Sequence, residues 1–370
     1  MALINYLTRI HFADSVLEDA LAEELRQLGV SRPLIVTDAE GRDPDALGRV
    51  ADALLPHGGI SVWVSPIGSK RNAELWRIRA VFAARNRDSY IGLGGTCALG
   101  LARQSAYACG GTCQQGAAAP DADLPARGRH VPVIAIPTTT TCVGLVPLDP
   151  AFFGQVHGRP AAPAMLPDVV LCDPTLTLHA DSRATAAAGM DALIHCIEAY
   201  LDTTWNPPAD GMALDGVRRA CAYLERAVRD GSDLEARREL LTAALDAGLA
   251  SQKGSGAIHA LARAIEHELG PAIQHGYLHA ALLPVVLAFN GPAIGARLAA
   301  LRHALQDTDI CGAIAELATR ISLPVNLSSL QLDAPARNRI ACLAADDPAN
   351  QTNPRHATAA DYVRMLEDAG

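Results

Sequence analysis

The feature that most limits what this chain can fold into is a change of hydrophobic rhythm near residue 174. Before it, short β-branched runs alternate with helical patterns. In order these are PLIVTD (33–38), a helix from about Asp43, ISVWV (60–64), a helix around Ala73–Arg85, YIGLGG (90–95), another helix, VPVIAIP (131–137) and PDVVLCDP (167–174). That alternation predicts βαβ units and a parallel sheet. Beyond residue 174 the β-branched runs largely disappear, and helical spacing continues almost to the end, with Gly and Pro only at helix boundaries. The expectation is an α/β domain over 1–178 and an all-helical domain over 179–370. Two domains also suit 370 residues, because single cores stop growing at ~250–300. The stretch 110–128, rich in Gly, Ala and Pro and without periodicity, reads as a surface excursion. Open α/β sheets bind ligands beyond the carboxyl ends of their strands, so a cleft closed there by the helical domain is the expected active site.

Composition removes several classes of function. With 49% hydrophobic and 19% charged residues the chain is neither disordered nor fibrous. A formal charge of −9 and the lack of any basic run argue against nucleic acid as a partner. Nine cysteines without paired spacing or a preceding secretory signal fit a reducing cytoplasm and free thiols; Cys109 and Cys113, the nearest to a metal pair, read as helix-end and loop residues. No apolar run reaches the ~18 residues of a membrane span, so no membrane is expected.

Chemistry concentrates in the helical half. In GMDALIHCIEAY (189–200), Asp191 and His195 stand four apart, on one helical face and in reach of one ion. Such a pair also recurs by chance, and a satisfied helix histidine is the commoner case. Downstream, His259, His267, His275 and His279 lie in an apolar, small-residue context, where imidazoles are costly to bury unless bonded or ligating. One carboxylate with several histidines makes a mixed O/N site suited to Zn²⁺ or Fe²⁺ rather than an all-oxygen cage.

GMDALIHCIEAY, the HALAR…HELG segment and QHGYLHAALLPVVLAFN (274–290) together resemble the iron-containing (group III) alcohol dehydrogenases, nearly end to end. Within that family the chain is most similar to 4-hydroxybutyrate dehydrogenase-like members, through MALINYLTRIHF, NPPADGMALDGVRRA (206–220) and QTNPRHATAADYVRML (351–366). The resemblance implies a Rossmann-like sheet domain followed by a helical one, the architecture shared with dehydroquinate synthase. It implies metal ligands at Asp191, His195, His259 and His275. His279 stands where the family usually has Asn; a ligand shift to it competes with a role behind the ligands or in packing. Glu266 and His267 are candidates for proton transfer, with packing as the alternative. The only lysines, Lys70 and Lys253, leave few carriers for Schiff-base chemistry.

The cofactor side departs from the family pattern. Family members carry Gly-Gly-Gly-Ser-x-x-Asp after the third strand, and here the stretch reads Gly94-Gly95-Thr96-Cys97-Ala98-Leu99-Gly100. A side chain at Thr96 is expected to restrict φ and crowd a phosphate, while the backbone amides remain. Pro-Thr-Thr-x-Gly-Thr-Gly-Ser-Glu becomes Pro137-Thr138-Thr139-Thr140-Thr141-Cys142-Val143-Gly144-Leu145, keeping the Thr pair that lines the cofactor. Asp38, ending the first of these strands, is retained for an adenine ribose. Arg263 replaces a family histidine that faces nicotinamide and substrate. It is read either as a fork for an anionic substrate or as a partner of Glu266 on its own helix. The expected function is NAD(P)- and metal-dependent interconversion of a small, acidic alcohol and aldehyde by a homo-oligomer. The alternative is a non-redox metal-dependent lyase, isomerase or synthase.

Overall fold

The structure, a computed structural model, describes residues 8–38, 44–54, 60–66, 71–109, 131–145, 166–270 and 275–370. The 110–128 segment lies outside the described residues. Six strands are described: β1 (Arg9–Phe12), β2 (Pro33–Asp38), β3 (Ser61–Ser65), β4 (Ser89–Gly94), β5 (Val133–Pro137) and β6 (Val169–Cys172). They form one sheet in the order β1-β6-β5-β4-β2-β3, parallel at every pairing. Each β-branched run read from the sequence is one of these strands. β1 is an addition, four residues on the outer edge beside β6, too short for a periodic signal.

The four helices α1 (Val16–Leu28), α2 (Pro44–Leu54), α3 (Arg71–Ala84) and α4 (Thr96–Cys109) cover both faces of the sheet. Strand residues alternate between those faces with period two. Ile35, Ile91 and Ile134 pack with Leu17 and Leu21 of α1 and Val50 of α2. Leu34, Tyr90 and Val133 turn the other way, onto Ile78 of α3 and Leu101 of α4. Burial on both faces explains why β4, β5 and β6, buried at every position, read as continuous apolar runs. Each fully buried Leu or Ile contributes about 1.5–3 kcal/mol relative to exposure.

The second unit is helical among its described residues: α5 (Ser182–Leu201), α6 (Pro207–Arg229), α7 (Leu234–Ala250), α8 (Ala257–Leu269), α9 (His275–Leu305), α10 (Ile310–Arg320), α11 (Ala334–Asp346), α12 (Ala349–Thr352) and α13 (Ala359–Asp368). Asp181, Asn206, Asp233, Asp309 and Asp333 each accept a first-turn N–H, which starts α5, α6, α7, α10 and α11. Each such cap contributes ~1 kcal/mol. From Thr185 to Leu201 every α5 side chain is buried except the half-buried Asp191. A helix enclosed on all sides is apolar all round, and one carboxylate on it needs partners.

Contacts divide the chain into a unit spanning Asn5–Thr139 and Val143–Ala180 and a unit spanning Asp181–Gly370, to which Thr140–Cys142 also belong. By length and composition alone the stretch Gly276–Arg320 is long and apolar enough to cross a membrane, with mean hydropathy 1.5, and 56% of its window is buried by protein. Pro284 and Pro292 break any reading by uninterrupted runs, and its leading helix, α9, packs against α5 and α8.

Candidate metal centre and cofactor cradle

Three helices of the second unit bring a carboxylate and three imidazoles together. Asp191 and His195 lie one turn apart on α5, His259 lies in the first turn of α8, and His279 lies in the second turn of α9. Asp191 Oδ1 is 3.9 Å from His195 Nε2, 3.8 Å from His259 Nε2 and 3.5 Å from His279 Nδ1. The rings of His195 and His259 are 3.8 Å apart, and those of His259 and His279 are 4.6 Å apart. Burial alone would raise the Asp191 carboxyl, but the histidines around it outweigh burial and hold it well below the usual carboxylate range. Asp191 Oδ1 and His259 Nε2 are buried without a hydrogen-bond partner. Two such orphaned atoms facing each other fit a bound cation, which accepts a lone pair from each.

A second layer sets the tautomers. Ser251 Oγ donates to Ala247 O (2.7 Å), so its 3.1 Å contact with His195 Nδ1 has the imidazole as donor. Glu198 Oε2 accepts from His259 Nδ1, and Oε1 accepts Ile258 N (2.7 Å). Each imidazole thereby presents an Nε2 lone pair toward Asp191. Among the protein groups alone, burial lowers the His259 pKa while Glu198 and Asp191 raise it, and the net is about 9; a cation at Nε2 takes that proton's place. The sequence reading passed over Glu198. Its signal was available, because Asp-x-x-x-His-x-x-Glu puts three polar groups on one face of an otherwise apolar helix.

Two other residues were also missed. Cys142, buried in the single helical turn Cys142–Gly144, offers its Sγ within 4.8 Å of ligand atoms of Asp191 and His195. Burial, then the Asp191 charge, pushes its thiol well above the ordinary value. Asn353 bonds Asn290 of α9 reciprocally (3.0 and 2.8 Å) and accepts Ala257 N (3.2 Å), tying the start of α8 to α9.

The remaining helical candidates are placed differently. Arg263, one turn after His259, gives Nε and Nη2 to the two oxygens of Asp347 (2.8 and 2.6 Å). The sequence reading had offered Glu266 as its partner, but the fork geometry is met by a carboxylate 84 residues away. His267 is exposed in the last turn of α8, about 12 Å along the axis from His259 at ~1.5 Å per residue, and does not join the buried cluster. The side chain of His275 lies outside the described residues.

In the sheet unit, Gly94, Gly95, Thr96, Thr138 and Thr139 come together at the carboxyl ends of β4 and β5. Gly94 pairs with Pro137, and Thr138 N donates to Gly94 O (3.1 Å). A Cβ at Gly95 would stand 3.3 Å from Thr139 Oγ1. The positive φ, +140°, falls on Gly94, which needs a glycine there. Thr96 opens α4 with an ordinary negative φ, so the expected restriction at this position does not arise, and its side chain is exposed. First-turn N–H groups of a helix following a glycine turn can cradle a phosphate. The backbone of Asp38 ends β2, which neighbours β4, and its side chain lies outside the described residues.

Comparison with known proteins matches both halves of the chain. The family model described as "Iron-containing alcohol dehydrogenase" covers residues 8–174, and "Fe-containing alcohol dehydrogenase family, C-terminal" covers 185–370. The 4-hydroxybutyrate dehydrogenase of Cupriavidus necator is 33% identical over 391 residues and covers 100% of both chains. The NAD-dependent methanol dehydrogenase of Bacillus methanolicus is 28% identical, covering 93% of this chain and 94% of that one. Among solved structures, a 1,3-propanediol oxidoreductase superposes with a TM-score of 0.83 at 23% identity, over 100% of each chain.

Proposed function

The chain belongs to the iron-containing alcohol dehydrogenase family, and from that premise we propose that it interconverts a small alcohol bearing an acid group and the corresponding aldehyde. It is an oxidoreductase of alcohols that uses a divalent metal, Fe²⁺ or Zn²⁺, and NAD(P), as its family does. The relatives reported above are dehydrogenases, and none of them favours the non-redox alternative. The observation that carries the reading is the convergence of Asp191, His195 and His259 around orphaned lone pairs.

In this reading Asp191, His195, His259 and His275 hold the metal, and Gly94, Gly95, Thr96, Thr138, Thr139 and Asp38 hold the dinucleotide. When bound, the metal supplies a Lewis acid for the substrate's oxygen and NAD(P) supplies or takes the hydride. Glu198 and Ser251 hold the Nδ1 protons of His259 and His195, which turns the two Nε2 atoms toward the metal. Burial of the cluster keeps competing water away from them. Arg263, its fork fixed by Asp347, provides positive charge for the anionic end of the substrate. The similarity to an enzyme named for 4-hydroxybutyrate supports an acid of that size. We further place the enzyme in the cytoplasm, as a homo-oligomer; nine cysteines without paired spacing support a reducing compartment.

The test is kcat/KM for 4-hydroxybutyrate against 1-butanol, with NAD and with NADP. At least a tenfold preference for the acid is expected. Equal or reversed preference would overturn the acid-substrate reading.

A further inference from the structure

We propose that His279 is itself a direct ligand of the metal, through Nδ1, beside Asp191 and His259. The inference rests on the metal-centre reading above and goes beyond it, because it puts a coordinating imidazole on α9 at 279.

Helix α9 packs against α5. Three contacts advance together along the two helices: Ala187 with Gly276, Asp191 with His279, and the Tyr200 carbonyl with Arg297. The helices therefore run side by side in the same direction. A Cβ at position 276 would stand 2.0 Å from the Ala187 carbonyl oxygen, so only glycine lets α9 come this close. Ala187 is one turn before Asp191, and Gly276 nearly one turn before His279. The close approach at the first pair delivers the second pair face to face.

His279 is fully buried, and its Nδ1 makes the shortest of the three histidine contacts on Asp191 Oδ1. Ligand atoms of Asp191, His259 and His279 all lie within 4.8 Å of one another. Two donors on one cation with bonds of ~2.0–2.1 Å stand about 3–4 Å apart. The 3.5 and 3.8 Å contacts of Asp191 with His279 and His259 fall in that range. Glu198 has already turned the His259 lone pair into the same space. A set of one carboxylate oxygen and several imidazole nitrogens selects borderline transition metals over Mg²⁺ or Ca²⁺.

The full-length protein is loaded with Co²⁺, and its visible ligand-field bands and strongly shifted imidazole N–H proton resonances are recorded, the latter one per coordinating histidine. His279→Gln, which preserves volume, and His279→Asn are compared with Asp191→Asn, with circular dichroism to check folding. The expected result is one fewer shifted resonance and displaced bands in either His279 variant, with Co²⁺ affinity at least tenfold weaker. An unchanged resonance count and unchanged bands in a folded His279 variant would overturn the proposal even if affinity fell, because a residue behind the ligands also tunes affinity. If Asp191→Asn keeps wild-type Co²⁺ binding and spectrum, the metal-centre reading itself fails, and that failure is distinguishable from the first.

Discussion

Arg263 has a fixed structural partner and, in the proposed reading, a role in specificity. Its bidentate pair with Asp347 is partly buried, with the two side chains 26% and 10% exposed. Burial would raise the Asp347 carboxyl, but Arg263 outweighs it and holds the group below its ordinary value. Removing the arginine therefore leaves a mostly buried carboxylate uncompensated, a loss of about 1–3 kcal/mol once the exposed part is discounted. Arg263→Ala is expected to raise KM at least tenfold for an acidic substrate and to leave a neutral alcohol nearly unaffected. Measuring both in the Arg263→Ala/Asp347→Asn double variant, which removes the stranded charge, separates binding from stability. Equal effects on the two substrates would assign Arg263 to structure alone. Sequence spacing could suggest only a partner three residues on, since a partner capping the end of α11 depends on where that helix packs.

Helix α7 carries a carboxylate whose cost depends on pH. Burial first, and the nearby Asp215 of α6 second, raise Asp246 to about 7, and its Oδ2 has no hydrogen-bond partner. In the unfolded chain this group ionises near 4. Between about pH 4 and 7 the folded state holds a proton that the unfolded state has released, so the group's contribution to stability falls as pH rises through that window. Above 7 the folded protein carries the charge at full cost. Asp246→Asn should therefore stabilise by roughly 1–2 kcal/mol at pH 8 and much less at pH 5. Denaturant midpoints at the two pH values measure this, and equal gains would refute it. The α6–α7 contact that buries Asp246 had no sequence signal, because period alone does not say which helix a face meets.

The helical unit gathers its buried polar cluster from α5, α8 and α9, so a cation there links segments more than 80 residues apart in sequence. Stripping divalent metal with a chelator is expected to lower Tm by several degrees, and Zn²⁺ or Fe²⁺ at 100 times its Kd should restore about 2.7 kcal/mol. Asp191→Asn should be insensitive to both treatments. A wild-type Tm indifferent to metal would speak against a bound cation. Much of this molecule was legible in its sequence: the strand-helix rhythm of the first half, the helical second half, and Asp191 and His195 one turn apart on one face. These depend on local period and steric preference, which each segment carries by itself. The order of the strands across the sheet, with β1 on the outer edge, was decided only by tertiary structure. So were the His279 contact with Asp191, the Glu198 bond to His259 and the Arg263 pair with Asp347. Each joins residues distant along the chain, and which of them meet is set by the close packing of helix faces and by glycines such as Gly276, where a missing Cβ permits the approach.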